Sequence, residues 1–108
     1  MILDTQKTEK FLIAKITEQD ANLEIADKFR DEIFALIEQD NHRVVLNFEE
    51  VTYVDSSFLG AMVAGLKKAL SLGGDIFLVE LKKDIYNMMH LIRMDKVFKI
   101  YTHAADIE

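Results

Sequence analysis

The stretch Val54-Asp55-Ser56-Ser57-Phe58-Leu59-Gly60-Ala61-Met62-Val63 decides how this chain is read. An apolar run, Arg43-Val44-Val45-Leu46-Asn47-Phe48, has just ended, and helical periodicity begins at the serines. An aspartate and two serines therefore sit at a predicted helix N-terminus. Such a position gathers unpaired backbone N–H groups and the positive end of the helix dipole, so it suits a cap or an anion. In one reading Asp55 or Ser56 is an N-cap, worth about 1 kcal/mol. In the other, Ser56 is reversibly phosphorylated. A phosphate there adds nearly two negative charges and is tolerated or mildly stabilising, by about 0.3–1 kcal/mol when exposed.

Working outward, Leu59, Met62, Val63, Leu66 and Leu70 recur at helical spacing and predict one buried stripe. Gly73 or Gly74 supplies a left-handed C-cap. Phe58 lies about 100° from that stripe, on the side of Ala61, Gly65, Lys68 and Leu72. If that side is exposed, Phe58 is an aromatic anchor for a partner. If it is covered, Phe58 is core.

The surrounding pattern alternates strands and helices. Residues 2–6 can form an edge strand and Phe11–Ile16 a better one, joined by a turn at Lys7-Thr8-Glu9. Ile25, Phe29, Ile33, Leu36 and Ile37 predict a helix over about 22–39, capped by Asp20 or Asn22. Val44–Phe48 and Asp75–Leu81 read as buried strands. Ile85, Met88, Met89 and Ile92 predict a helix over about 82–92, and Phe98–Tyr101 a short last strand. Thr102 can cap a fourth helix. This order predicts one α/β domain over 1–108, with parallel pairings and right-handed crossovers.

Composition bounds the function. The chain has 108 residues, 19 acidic against 13 basic, for a formal charge of −6. That balance argues against nucleic acid or an anionic membrane as the main partner. There is no cysteine, which removes disulfides, thiol nucleophiles and thiolate metal sites. The N-terminus has no signal-peptide pattern, and the longest uncharged run, Ser56–Leu66, is eleven residues, too short to span a bilayer. A cytoplasmic protein with no membrane insertion is expected. His42, His90 and His103 are far apart and lack ligand spacing, so no metal site is expected. There is no Gly-x-Ser-x-Gly elbow and no glycine-rich phosphate loop, so neither a catalytic residue nor a cofactor is expected.

Three segments together resemble the STAS domain family, and within it the bacterial anti-sigma factor antagonists. They are Val44–Phe48; Val51-Thr-Tyr-Val-Asp-Ser-Ser-Phe-Leu-Gly60; and Gly73-Gly74 before Ile76-Phe-Leu-Val79. The segment Met89–Phe98 also resembles the C-terminal part of the family. The resemblance implies a mixed sheet of about five strands with helices packed mainly on one side. It implies no enzyme activity. It implies that a cognate anti-sigma factor with serine kinase activity phosphorylates Ser56, with Ser57 as a secondary candidate. The unphosphorylated form would bind the anti-sigma factor, and a serine phosphatase would reset the switch. Asp20 resembles the acidic residue that many members place near the phosphosite. The partner surface so expected comprises Asp20, Asp55, Ser57, Phe58 and Ala61. The resemblance also allows constitutive docking as a subunit of a lipid-transport ATPase or a stressosome-like assembly. Two positions depart from the family: Phe58 replaces the usual glycine, and Glu18 stands near another. Phe58 is therefore the residue expected to bear most on which kinase or partner is accepted.

Overall fold

The chain's structure, a computed structural model, describes residues 1–107. Its elements in order are β1 (Leu3–Lys7), β2 (Leu12–Ile16), β3 (Asp20–Ala21), α1 (Leu23–Glu38), β4 (Arg43–Asn47), β5 (Tyr53–Val54), α2 (Ser56–Ser71), β6 (Asp75–Val79), α3 (Lys83–Leu91) and β7 (Lys99–Tyr101). Short 3-10 turns at Met94–Lys96 and Ala104–Asp106 flank β7.

Five strands form one sheet in the order β1-β2-β4-β6-β7. β1 runs antiparallel to β2 as a hairpin, and every other pairing is parallel. Thr8 closes the hairpin turn, where its amide and hydroxyl both donate to the Phe11 carbonyl. From β2 onward each strand–helix–strand unit adds its new strand on the same side. With right-handed crossovers, that stepwise growth puts all three helices on one face.

The two sheet faces have separate cores. Ala14, Val44, Leu46, Ile76 and Leu78 point toward the helices and meet Phe29, Ile33 and Ile37 of α1, Met62 and Leu66 of α2, and Ile85 and Met89 of α3. On the opposite face Val45, Phe77 and Val79 are covered by Ile107 from the C-terminal segment. That segment reaches Ile107 as a single 3-10 turn with His103 at its N-cap, in place of the Thr102-capped helix expected from sequence.

The face of α2 differs from the predicted stripe. Its buried residues are Phe58, Ala61, Met62, Gly65, Leu66 and Ala69, whereas Leu70 is 53% exposed. A helix packed against a single partner would bury that stripe. α2 lies in the angle between α1 and the sheet, so its buried arc is rotated toward α1. Gly65 permits the approach: a Cβ there would sit 3.3 Å from the Ile33 side chain and 3.4 Å from that of Ile76. Ile92, expected in the stripe of α3, is 43% exposed. The helix ends at Leu91, and Arg93 turns the chain away in a left-handed conformation (φ 64°).

Candidate functional site at the start of α2

The site is built around one carboxylate. β3 and β5 form a two-residue parallel ribbon, with Asp20 opposite Tyr53 and Ala21 opposite Val54. The Asp55 amide continues it, donating to the Ala21 carbonyl at 3.0 Å. The ribbon ends where both large helices begin, so the N-termini of α1 and α2 converge. Asp55 serves both. Its Oδ1 accepts from the Phe58 amide at 3.0 Å, capping α2, and its Oδ2 accepts from the Leu23 amide at 2.9 Å. Asn22 completes the start of α1, its Oδ1 accepting from the Glu24 amide at 3.1 Å. An aspartate is needed because a serine or asparagine side chain offers one oxygen acceptor here, whereas a carboxylate offers two.

Ser56 is the first residue of α2, and it is exposed. Ser57 follows, half-buried. Asp55 is thus the cap, which leaves the Ser56 hydroxyl free of that structural duty. The Ser56 and Ser57 amides have no intrahelical carbonyl to reach and face the positive end of the helix dipole.

Two expectations are corrected. Phe58 is fully buried, with its ring 4.4 Å from that of Phe29 between centroids and tilted by 37°. It joins the starts of α1 and α2 from inside and offers no aromatic surface to a partner. Ala61 is only 7% exposed and belongs to the same core. Both follow from the rotation of α2 toward α1. The large side chain at position 58 fills space between the helices without shielding the serine.

Asp20 stands opposite Tyr53 in the ribbon, two residues before Asp55, and Ser56 and Ser57 follow Asp55 directly. The exposed apolar residues at the site are different ones: Leu23, 69% exposed, and Tyr53, 53% exposed. Each stands within two residues of Asp55 or bonded to it. No periodicity marks Leu23, because it precedes the buried face of α1. Tyr53 lies in a ribbon too short to show alternation. Beside them a cleft of about 430 Å³ is lined by Glu18, Asp20, Glu24 and Glu50, among others. Glu50 is paired with Lys15 at 3.0 Å, and Lys15 also holds Glu49 at 2.8 Å. That double contact lowers the Glu49 carboxyl below its usual range and raises the Lys15 ammonium. Among the described residues, no three histidine, aspartate or glutamate side chains are grouped to hold a metal ion. No helix among the described residues is long and apolar enough to cross a membrane.

Comparison with known proteins agrees with this architecture. The STAS domain family model matches residues 3–107. A curated relative, the candidate anti-sigma factor antagonist TM1081 homolog of Thermotoga neapolitana, is 26% identical over 89 residues, spanning 82% of this chain and 79% of the relative. Among solved structures, the candidate anti-sigma factor antagonist TM1081 of Thermotoga maritima superimposes with a TM-score of 0.85 at 23% identity, covering 96% of this chain and 89% of that one. The phosphorylated form of SpoIIAA, a Bacillus cell fate determinant, superimposes with a TM-score of 0.69 at 14% identity, covering 94% and 92%. With the family model spanning nearly the whole chain, this protein belongs to the STAS domain family.

Proposed function

We propose that this protein is an anti-sigma factor antagonist in which phosphorylation of Ser56 switches binding to an anti-sigma factor with serine kinase activity. The observation that supports this most directly is the division of labour between Asp55 and Ser56. Asp55 caps both helices, so the neighbouring hydroxyl is exposed and structurally dispensable. A phosphate on Ser56 meets the positive end of α2 and leaves the core untouched. It changes the surface, with its bulk and hydrated charge over the first turn, without changing the fold. In this reading the protein is a non-enzymatic regulator acting in the cytoplasm. A serine phosphatase returns it to the binding form, and Ser57, half-buried, is the poorer acceptor. The similarity to SpoIIAA, whose phosphorylated form is among the matching structures, adds support at the level of fold.

The test is incubation with the anti-sigma-type serine kinases encoded in the source genome, with ATP, followed by mapping of phosphate by mass spectrometry. Label on Ser56 that disappears in Ser56→Ala is the expected result. No label on either serine with every such kinase would end the proposal.

A further inference from the structure

The chain leaves the ends of β6 and β7 toward opposite faces of the sheet. After β6 it turns into α3, whose Ile85 and Met89 pack in the core on the helix side. After β7 it passes to the other face, where Ile107 covers Val45, Phe77 and Val79. The two strands are neighbours, with Val79 opposite Tyr101. Where adjacent parallel strands send their following segments to opposite faces, a crevice opens at the carboxyl ends of the strands, and ligands of open α/β sheets bind at such a point. A cavity of about 540 Å³ lies there, with Glu80 just after β6, Thr102 just after β7 and Tyr86 in the first turn of α3 among its walls. Glu80 fixes its shape. The Glu80 amide donates to the Thr102 carbonyl at 3.1 Å, and its carboxylate is hydrogen-bonded to His103 at 2.8 Å. Glu80 does this from a left-handed backbone (φ 60°), a conformation uncommon for a residue with a side chain. It thereby ties together the two segments that diverge.

The walls select by charge. Both carboxylates at the cavity are already engaged, Glu49 with the Lys15 ammonium at 2.8 Å and Glu80 with the His103 imidazole. The ammonium groups are not balanced in this way. Lys82 donates to the Glu49 backbone carbonyl, a neutral oxygen, and Lys83 forms no ion pair among the described residues. Asp84, the acid of the same helical turn, is not among the walls. The cavity thus keeps an excess of positive charge, although the chain as a whole carries −6. Leu81 and Ile100 add apolar surface, and Tyr86 and Tyr101 add rings. Neither glycine nor arginine is among the described residues that line it, so the backbone cradle and the guanidinium fork that grip phosphate are missing. We propose that this crevice is a binding site for a small aromatic carboxylate, with Lys82 and Lys83 holding the carboxylate and Leu81, Ile100 and the two tyrosines enclosing the ring. Asp20, Asp55 and Ser56 form no part of it, so the inference does not depend on Ser56 being the switch.

The experiment titrates the isotope-labelled protein with phenylpropionate, with its neutral amide phenylpropionamide and with inorganic phosphate, and follows the backbone amide signals by NMR. Phenylpropionate is expected to give saturable shifts at Leu81, Lys83, Tyr86 and Thr102, and the neutral amide to bind roughly tenfold or more weakly. Lys83→Gln, at an exposed position with no ion pair to lose, is expected to weaken binding of the carboxylate roughly fivefold or more while keeping the wild-type thermal midpoint. Lys82→Gln is expected to weaken it as well, but that variant also loses the bond to the Glu49 carbonyl, so Lys83→Gln is the deciding one. Lys67→Gln, on α2 and outside the cavity, is expected to bind as wild type does. The absence of any saturable shift up to about 10 mM phenylpropionate would overturn the proposal. So would equal affinity for the acid and its amide, or undiminished binding in Lys83→Gln. Phosphate that shifts the same amides at lower concentration than the carboxylate does would overturn the class of ligand.

Discussion

Removing the Asp55 carboxylate tests whether one side chain holds the starts of two helices. Its Oδ1 satisfies the Phe58 amide in a half-buried setting, and a lost N-cap of that kind costs about 1 kcal/mol. Its Oδ2 serves the Leu23 amide in an exposed setting. Water can replace it there, and Asn22 still caps α1, so that share is about 0.5 kcal/mol. Asp55→Ala should therefore cost about 1.5 kcal/mol, and lower the thermal midpoint by roughly 8 °C for a domain of this size. Asp55→Asn keeps one oxygen acceptor. Directed at the Phe58 amide, it preserves the larger share and should cost only about 0.5 kcal/mol. Chemical denaturation, with midpoint and slope both measured, gives the two values, and an unchanged slope confirms that stability alone moved. Equal losses in the two variants, or a loss under about 0.3 kcal/mol in Asp55→Ala, would refute the shared-cap account.

Other outcomes follow from the same geometry. Ser56→Asp should leave stability within about 0.5 kcal/mol of wild type, since the position is exposed and faces the helix dipole, and denaturation checks it. Phe58→Ala should lose about 3–5 kcal/mol by emptying the space against Phe29, and a surface-like loss below about 1 kcal/mol in the same assay would contradict its burial. His103, hydrogen-bonded to Glu80 at 2.8 Å, should titrate above the ordinary histidine range in an NMR titration, and Glu80→Gln should bring it back down. Because the pairing raises the folded-state pKa, its stabilisation is fully present below about pH 6.5 and fades as pH rises through the raised value. The wild-type advantage over His103→Gln in thermal midpoint should accordingly shrink between acidic and alkaline buffer.

Much of this fold is written in periodicity. The run Val44–Phe48 reads as a buried strand because both of its faces are covered, and it lies in the middle of the sheet. Phe29, Ile33 and Ile37 mark α1 plainly, because that helix lays one stripe on the core. The buried arc of α2 departs from its apolar stripe for a physical reason: a helix wedged between a sheet and another helix buries a wide arc, and apolar residues around it do not say where the arc is centred. The β3–β5 ribbon has two residues per strand, too few for any pattern, and yet it is what brings the starts of α1 and α2 together at Asp55. Asp55 was visible as a cap for α2. Its second bond, to an amide 32 positions earlier, depends on that ribbon and could not be seen in local sequence. Leu23 and Tyr53 are not legible in the sequence, because exposed apolar residues have no periodic signature.

The central claim is that phosphate on Ser56 changes what the surface binds while the fold stays the same. Its most direct test is the affinity of the anti-sigma-type serine kinase for the unmodified protein and for protein phosphorylated on Ser56, compared by calorimetry beside their thermal midpoints. Tight binding of the unmodified form is expected, with a loss of roughly 1.4 kcal/mol or more on phosphorylation, a factor of ten or greater, and nearly unchanged midpoints. Equal affinity for the two forms, or a phosphorylated protein that has lost its cooperative unfolding, would contradict it.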